Sequence, residues 1–330
     1  MQKDSRKPMK SLSKTLRQNA LFISMGIGAA VYTLFANTPS LAQARATLSP
    51  LMTDYLPIGM FAILYFTFCK INLHELKPRT WHFAIQATRI TLSLIMVALI
   101  QLLGTHSPDT KLILEGMFIC IICPTAAAVV VIAEKLGGSI GSLTTFTIIA
   151  NIVTMIIIPT LFPLVEKGAD ISFLTTMLLL LRNVIVVLVL PLFCALATKR
   201  LSPRLTALFN SHRDIGFYIW CINLAIVTGI TLGNIHASDL SGHTLWLLLL
   251  MPLPVCLLQF ALGKLIGHHW GDSISAGQAL GQKNTVIGIW LTLTFLNPLA
   301  AVSPGAYILW QNLVNGLQIR YKERHGQLRY

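Results

Sequence analysis

Charge is what this sequence has least of. Only 11% of its 330 residues are charged, and acid is scarcer than base, with 12 Asp+Glu against 25 Lys+Arg. A soluble chain of this length needs more charge to cover its surface. Also missing is any continuous polar stretch between apolar runs long enough to fold by itself, so no soluble domain is inserted. Strand-length alternation of apolar and polar residues is absent, which argues against an outer-membrane barrel. Neither a phosphate-binding glycine loop nor a nucleophile–base arrangement is present, which argues against a pump or a membrane enzyme. What is abundant is hydrocarbon. Hydrophobic residues make up 54% of the chain, enough for on the order of eight to ten spans of ~20 residues each. The expected class is an all-α polytopic membrane protein.

Apolar runs bounded by charged or turn residues give ten segments: Asn19–Ala36, Tyr55–Phe68, Trp81–Leu103, Leu112–Ala133, Ile140–Val165, Phe173–Ala197, Ile215–Leu232, Leu245–Ile266, Ser275–Phe295 and Leu299–Leu317. The second is short and is allowed to begin nearer Leu51. Lys and Arg in short loops are retained on the cytoplasmic side. Nineteen basic residues fall on one side of this ten-span reading, among them Lys3, Arg6, Lys70, Arg79, Lys135, Lys199, Arg204, Lys264, Arg320 and Lys322. The opposite loops hold Arg45, Lys111 and Lys167. Both termini are therefore expected in the cytoplasm of a multi-pass cell (inner) membrane protein, and the basic excess says nothing about nucleic acid. The implied organisation is a basic tail over 1–18, a five-span unit over 19–165, a second over 173–318 and a basic tail over 319–330. Ser40-Leu41-Ala42-Gln43-Ala44 resembles a signal-peptide cleavage site, but the preceding apolar run is span-sized and its removal would break the charge pattern.

Three basic residues remain, Arg89, Arg182 and Lys283, each about nine residues inside a segment, where a charge costs at least ~2.5–3.5 kcal/mol on insertion scales. No acid sits at comparable depth. Glu115 and Glu134 lie near opposite ends of the fourth segment, and Asp214 starts the seventh. For each arginine, snorkelling to an interface or contact with carbonyl groups stands beside a role in a cavity.

Two segments are interrupted. The fourth carries Cys123-Pro124-Thr125 in mid-membrane, where proline removes one helical hydrogen bond and obstructs another. The ninth carries Gly277-Gln278-Ala279-Leu280-Gly281-Gln282-Lys283-Asn284, polar and glycine-containing where a lipid-facing helix should be apolar. Broken backbone at that depth is tolerated only where protein or a cavity satisfies it. The two interruptions occupy the fourth position of each set of five spans, and an odd number of spans per half inverts the second half. That is the pattern of a secondary transporter built from two inverted five-helix repeats, with crossed discontinuous helices 4 and 9 and its site at the midplane. A kinked helix and an irregular turn are the plainer alternatives.

These features resemble the bile acid:sodium symporter superfamily in its bacterial branch. The resemblance rests on Cys123-Pro124 followed by small residues and Lys135-Leu136-Gly137-Gly138, on Gly281-Gln282-Lys283-Asn284, and on Phe295-Leu296-Asn297-Pro298. It implies a sodium-coupled transporter of bile acids, small carboxylates or related organic anions. The departures from the family pattern matter most. The family's sodium-ligating Ser-Asn pair falls on Val129 and Val130, its next-helix serine on Leu143 and its glutamate on Ala279. Thr147 keeps a hydroxyl, and Gln86 matches the remaining glutamine. The glutamine of the family's Gln-Asn pair becomes Lys283. Sodium, like calcium and magnesium, needs several oxygens, and Val, Val, Leu and Ala supply no side-chain oxygen.

Two expectations follow. In the first, the Lys283 ammonium takes the place and charge role of a sodium ion, and transport is sodium-independent. In the second, Lys283 titrates and couples transport to protons. Lys283 contacting only exposed carbonyls at the break is the plainer alternative, and sodium- or proton-coupled organic-acid symport, a non-transporting receptor and an intramembrane enzyme are the competing functions. Three embedded cations without a deep acid favour an anionic substrate, and the second halves of the broken helices, starting near Thr125 and Asn284, would add the partial positive charge of helix amino-termini. The candidate site is Lys283, Asn284, Gln282, Pro124, Thr125, Gln86, Thr147, Arg89, Arg182 and Asn151. Asn151 and Thr154 either line the cavity or bond to Asn312 or Asn315. Cys120-x-x-Cys123 reads as packed hydrophobes, His268-His269 near Asp272 as a solvated loop, and no metal or cofactor is expected.

Overall fold

A computed structural model of the chain describes residues 19–70, 74, 76–126, 128–166, 175, 178, 182, 185–211, 214–236, 242–326 and 328. The amino-terminal tail, Lys167, Arg213, Arg329 and the first part of the sixth predicted span lie outside the described residues. The regular elements are helices: α1 (Ala20–Asn37), α2 (Ala42–Phe68), α3 (Thr80–Leu103), α4 (Pro108–Ile122), α5 (Val129–Leu136), α6 (Ile140–Val165), α7 (Leu190–Leu201), α8 (Pro203–Ser211), α9 (Ile215–His236), α10 (Gly242–Leu250), α11 (Pro252–His269), α12 (Ser273–Gly281), α13 (Thr285–Phe295) and α14 (Val302–His325). Six stretches among the described residues are long and apolar enough to cross a bilayer. Large apolar side chains such as Ile58, Leu102, Phe193, Trp246 and Leu265 stand more than 60% exposed. An outer surface of this kind suits lipid, and the chain is an all-α polytopic membrane protein.

The helix ends follow local chemistry. Pro108 opens α4 behind Ser107, whose hydroxyl accepts from Thr110 N–H, with Asp109 in the first turn. Ser139 caps α6 in the same way through Ser142 N–H, and Asn284 caps α13 through Ile287 N–H. α5 stops at Gly137, whose φ of +90° is open to glycine without strain. Hydroxyls within the spans return to their own helix, as Thr147 does to the Leu143 carbonyl (2.8 Å) and Thr228 to that of Leu224 (2.7 Å).

The differences from the sequence reading have identifiable causes. α2 begins at Ala42, well before the apolar run, and its first turns carry exposed polar residues such as Arg45 and Thr47. The eighth span bends at Met251, where Pro252 follows. The tenth starts with a short 3₁₀ turn, Pro298–Ala301, and runs on to His325. The fourth and ninth spans are divided into α4/α5 and α12/α13.

Two groups of helices result. In one, α9 packs against α1 and α2, and α2 against α7; in the other, α3 to α6 pack with α10 to α14. The pairing of α11 with α12 is close, since a Cβ on Gly263 would lie 2.5 Å from the Ala276 carbonyl oxygen. The groups meet where α5 and α14 abut α1, α2 and α9, through a buried cluster of Leu21, Ile63, Phe217, Trp220 and Leu224 against Val131, Ile132, Leu136, Ile308 and Ile319.

Candidate functional site: a crossing of two broken helices

Proline at 124 and the Gly281–Asn284 run each leave a helix with orphan carbonyls at one end and orphan N–H groups at the next beginning. The two interruptions pass each other and pair. Asn284 N–H donates to the Pro124 carbonyl (2.8 Å) and Ala126 N–H to that of Gln282 (3.2 Å), making an antiparallel bridge between Thr125 and Lys283. The first half-helix then ends on carbonyls satisfied by side chains from three other parts of the chain. Cys120 O accepts from Gln259 Nε2 of α11 (3.1 Å), and Ile121 O accepts from Lys283 Nζ (2.9 Å). Ile122 O and Cys123 O accept from Arg89 Nη1 of α3 (3.5 and 3.4 Å). The other break is held similarly. Ala279 O accepts from Thr125 Oγ1 (2.7 Å), Gly281 O from the Tyr307 hydroxyl (2.8 Å), and Lys283 O from Gln311 Nε2 (3.3 Å), while Gln311 Oε1 receives Lys283 N–H (2.8 Å).

Both cations are enclosed, Lys283 at 1% exposure and Arg89 at 2%. They lie within electrostatic reach of each other. Arg89 also donates to Thr154 Oγ1 (2.9 Å) and Ala150 O (3.2 Å), and its Nε has no partner. Among the described residues no carboxylate pairs with either cation. The buried acid of α4, Glu115, lies at the middle of that helix, two turns before its broken end, beside Lys111 (3.6 Å).

Val129, Val130, Leu143 and Ala279, on α5, α6 and α12, meet in one buried cluster with Trp81, Ile85 and Phe146. The four matched positions that have lost a side-chain oxygen thus share one cluster and are filled with hydrocarbon. Thr147 spends its hydroxyl on its own helix. Gln86 is buried with neither side-chain polar atom bonded.

Of the remaining predicted site residues, Pro124, Thr125, Gln282 and Asn284 form the crossing, and Gln282 links through Gln278 to Gln318 of α14. Asn151 bonds to the Thr147 carbonyl within α6 (2.8 Å), and Thr154 takes Arg89, so neither reaches Asn312 or Asn315. Arg182 is helical and exposed. The second halves begin at Val129 and Thr285; α5 starts later than the sequence suggests because Thr125 and Ala126 are extended in the bridge. Sequence reasoning missed Gln259, Tyr307 and Gln311. Their signal was a polar group inside an apolar span, whereas Gln86 was singled out by the family resemblance. On α14, Gly305 lies against Thr231 and Gly316 against Phe22, so the face between them, which carries Asn312, is turned to the other helix group. Asn312 Oδ1, both polar atoms of neighbouring Asn315, and Trp220 Nε1 across that interface are buried and unbonded.

A family model described as the SBF-like CPA transporter family matches residues 22–311. The superfamily resemblance read from the Cys123-Pro124 and Gly281–Asn284 motifs is thereby borne out. No curated protein matches the chain.

Proposed function

Because the chain belongs to the SBF-like CPA transporter family, and is thus a membrane transporter, we propose that it moves a small organic anion by alternating access and does so without sodium. The observation that carries the sodium-independence is the hydrocarbon cluster. Val129, Val130, Leu143 and Ala279 pack against Trp81 and Phe146 where a hard cation would need oxygens. A cation belonging to the chain, the Lys283 ammonium, is instead fixed on the Ile121 carbonyl at the crossing.

The anionic substrate is supported by field more than by contact. Arg89 and Lys283 are each anchored on carbonyls, yet their charges stay in a low-dielectric region together with the amino-terminal ends of α5 and α13. Between the helix groups, Asn312 Oδ1 and both polar atoms of the Asn315 amide are buried without a partner, and opening of the groups would offer them to a ligand. The two-fold character of an antiparallel bridge supports the reading of 19–165 and 173–318 as inverted five-span repeats crossing at Thr125 and Lys283. The nineteen-to-three distribution of basic residues supports cytoplasmic termini in a cell (inner) membrane.

A thermal-shift screen of organic anions on the solubilised protein supplies a ligand for uptake into proteoliposomes. Uptake is expected to be the same with and without an imposed sodium gradient, and strong stimulation by sodium would sink the proposal. A second reading, proton coupling at Lys283, is favoured by an ammonium with three N–H donors bonded to one acceptor. It predicts uptake driven by a pH gradient, and indifference to that gradient removes it.

A further inference from the structure

The two helix groups are joined by ion pairs at one end of α5. Lys70, just past the end of α2, donates to Glu134 at 2.9 and 3.2 Å. The next residue, Lys135, pairs with Asp214 at the start of α9. Glu134 and Lys135 close α5 and belong to one group, while Lys70 and Asp214 belong to the other. The side chains are 11% to 29% exposed, so solvent screens these pairs less than it screens surface ones. The Lys135 ammonium also lies over the Phe217 ring of α9 (5.1 Å), and Lys322 of α14 donates to the Lys135 carbonyl (2.8 Å).

The pairs have opposite polarity. The α2 side offers a cation to an anion of α5, and the α9 side an anion to a cation. Sliding α5 by one residue would set Lys135 against Lys70 in one direction and Glu134 against Asp214 in the other, so the arrangement fixes register as well as proximity. By charge distribution this end is cytoplasmic. At the other end the described ion pairs, Lys111 with Glu166 and with Glu115, stay within one group. α5 is eight residues long, about 12 Å at 1.5 Å per residue. The pairs therefore hold the far end of a short rod whose near end is the Thr125–Lys283 crossing.

We propose that Lys70–Glu134 and Lys135–Asp214 form a cytoplasmic latch that holds the helix groups closed on that face and must open before the site communicates with the cytoplasm. The proposal rests on the alternating-access reading, but its test needs no substrate. Val131, buried at the interface between the groups, is replaced by Cys in a protein whose six native cysteines are changed to Ala. Its reaction with a membrane-impermeant maleimide is followed from the cytoplasmic side of oriented vesicles. Glu134→Gln with Asp214→Asn should raise the rate about tenfold, as expected for the loss of two pairs of ordinary strength. Glu134→Lys, which faces Lys70 with a like charge, should raise it as well, and adding Lys70→Glu should return it to within about twofold of the parent. An unchanged rate in the neutralised variant, or a reversed pair no slower than the single reversal, overturns the latch. The reversed pair keeps its attraction and gives an answer even if the neutralised protein fails to insert. Loss of uptake with normal labelling behaviour would instead count against the transport reading.

Discussion

Replacing Lys283 and Arg89 by methionine, singly and together, tests whether both side chains are charged in the folded protein. Lys283→Met leaves the Ile121 carbonyl without its donor, a cost of about 1–3 kcal/mol for a buried acceptor. Arg89→Met leaves the Ile122 and Cys123 carbonyls, whose bonds are longer, at a cost of about 2–4 kcal/mol for the two. The cations bind successive carbonyls of one helix end, roughly 6–8 Å apart, and at an effective dielectric of 20 they repel by about 2–3 kcal/mol. Each single replacement loses carbonyl bonds but also relieves that repulsion. The double replacement relieves it only once. Its cost should therefore exceed the sum of the singles by about 2–3 kcal/mol. The measurement is a double-mutant cycle on the solubilised protein, unfolded by denaturing detergent and followed by far-ultraviolet circular dichroism. Additivity within about 0.5 kcal/mol would mean that one of the two is neutral, and a fixed cation at Lys283 could not then stand in for sodium.

Two further outcomes are expected from the same geometry. Asn315→Leu removes an amide that has no partner, so thermal unfolding should show a gain of about 1–2 kcal/mol while uptake falls at least severalfold; a loss of stability would mean that the amide is bonded in the protein. Gly263→Ala forces a Cβ to within 2.5 Å of the Ala276 carbonyl oxygen and 2.8 Å of Gly277 Cα. Backbone must move, and thermal unfolding should register about 1–3 kcal/mol of destabilisation. No change would show that α11 and α12 separate freely.

The breaks were legible in the sequence because two unlike irregularities fall at matching positions of the two halves. Proline alone does not divide a span, for Pro159 and Pro163 stand inside α6, but Pro124 has its counterpart in Gly281-Gln282-Lys283-Asn284, which has no place on a lipid-facing surface. Their ends were harder to read. Thr125 and Ala126 are ordinary helical residues that become extended only because another strand of chain lies opposite. The donors at the breaks were harder still. Gln259, Tyr307 and Gln311 come from helices distant in sequence, and a single polar residue in an apolar run does not say which carbonyl it will meet. Arg89 and Lys283 stood out by charge, but that both would serve the end of one half-helix emerges only when α3, α4 and α12 are packed together. The hydrocarbon at Val129, Val130, Leu143 and Ala279 is the reverse case, for the substitutions were visible and their convergence in space accounts for them together.

On the fixed-cation reading, a carrier whose cation is part of its own chain takes nothing from a sodium gradient. The Lys283 charge would cross no membrane on balance, since it would return with the empty protein. A lone monovalent anion would then be distributed by the membrane potential, excluded about tenfold for each 60 mV of inside-negative voltage. Net accumulation inside would call for an exchange partner of like charge, and without one the natural direction of flow is outward.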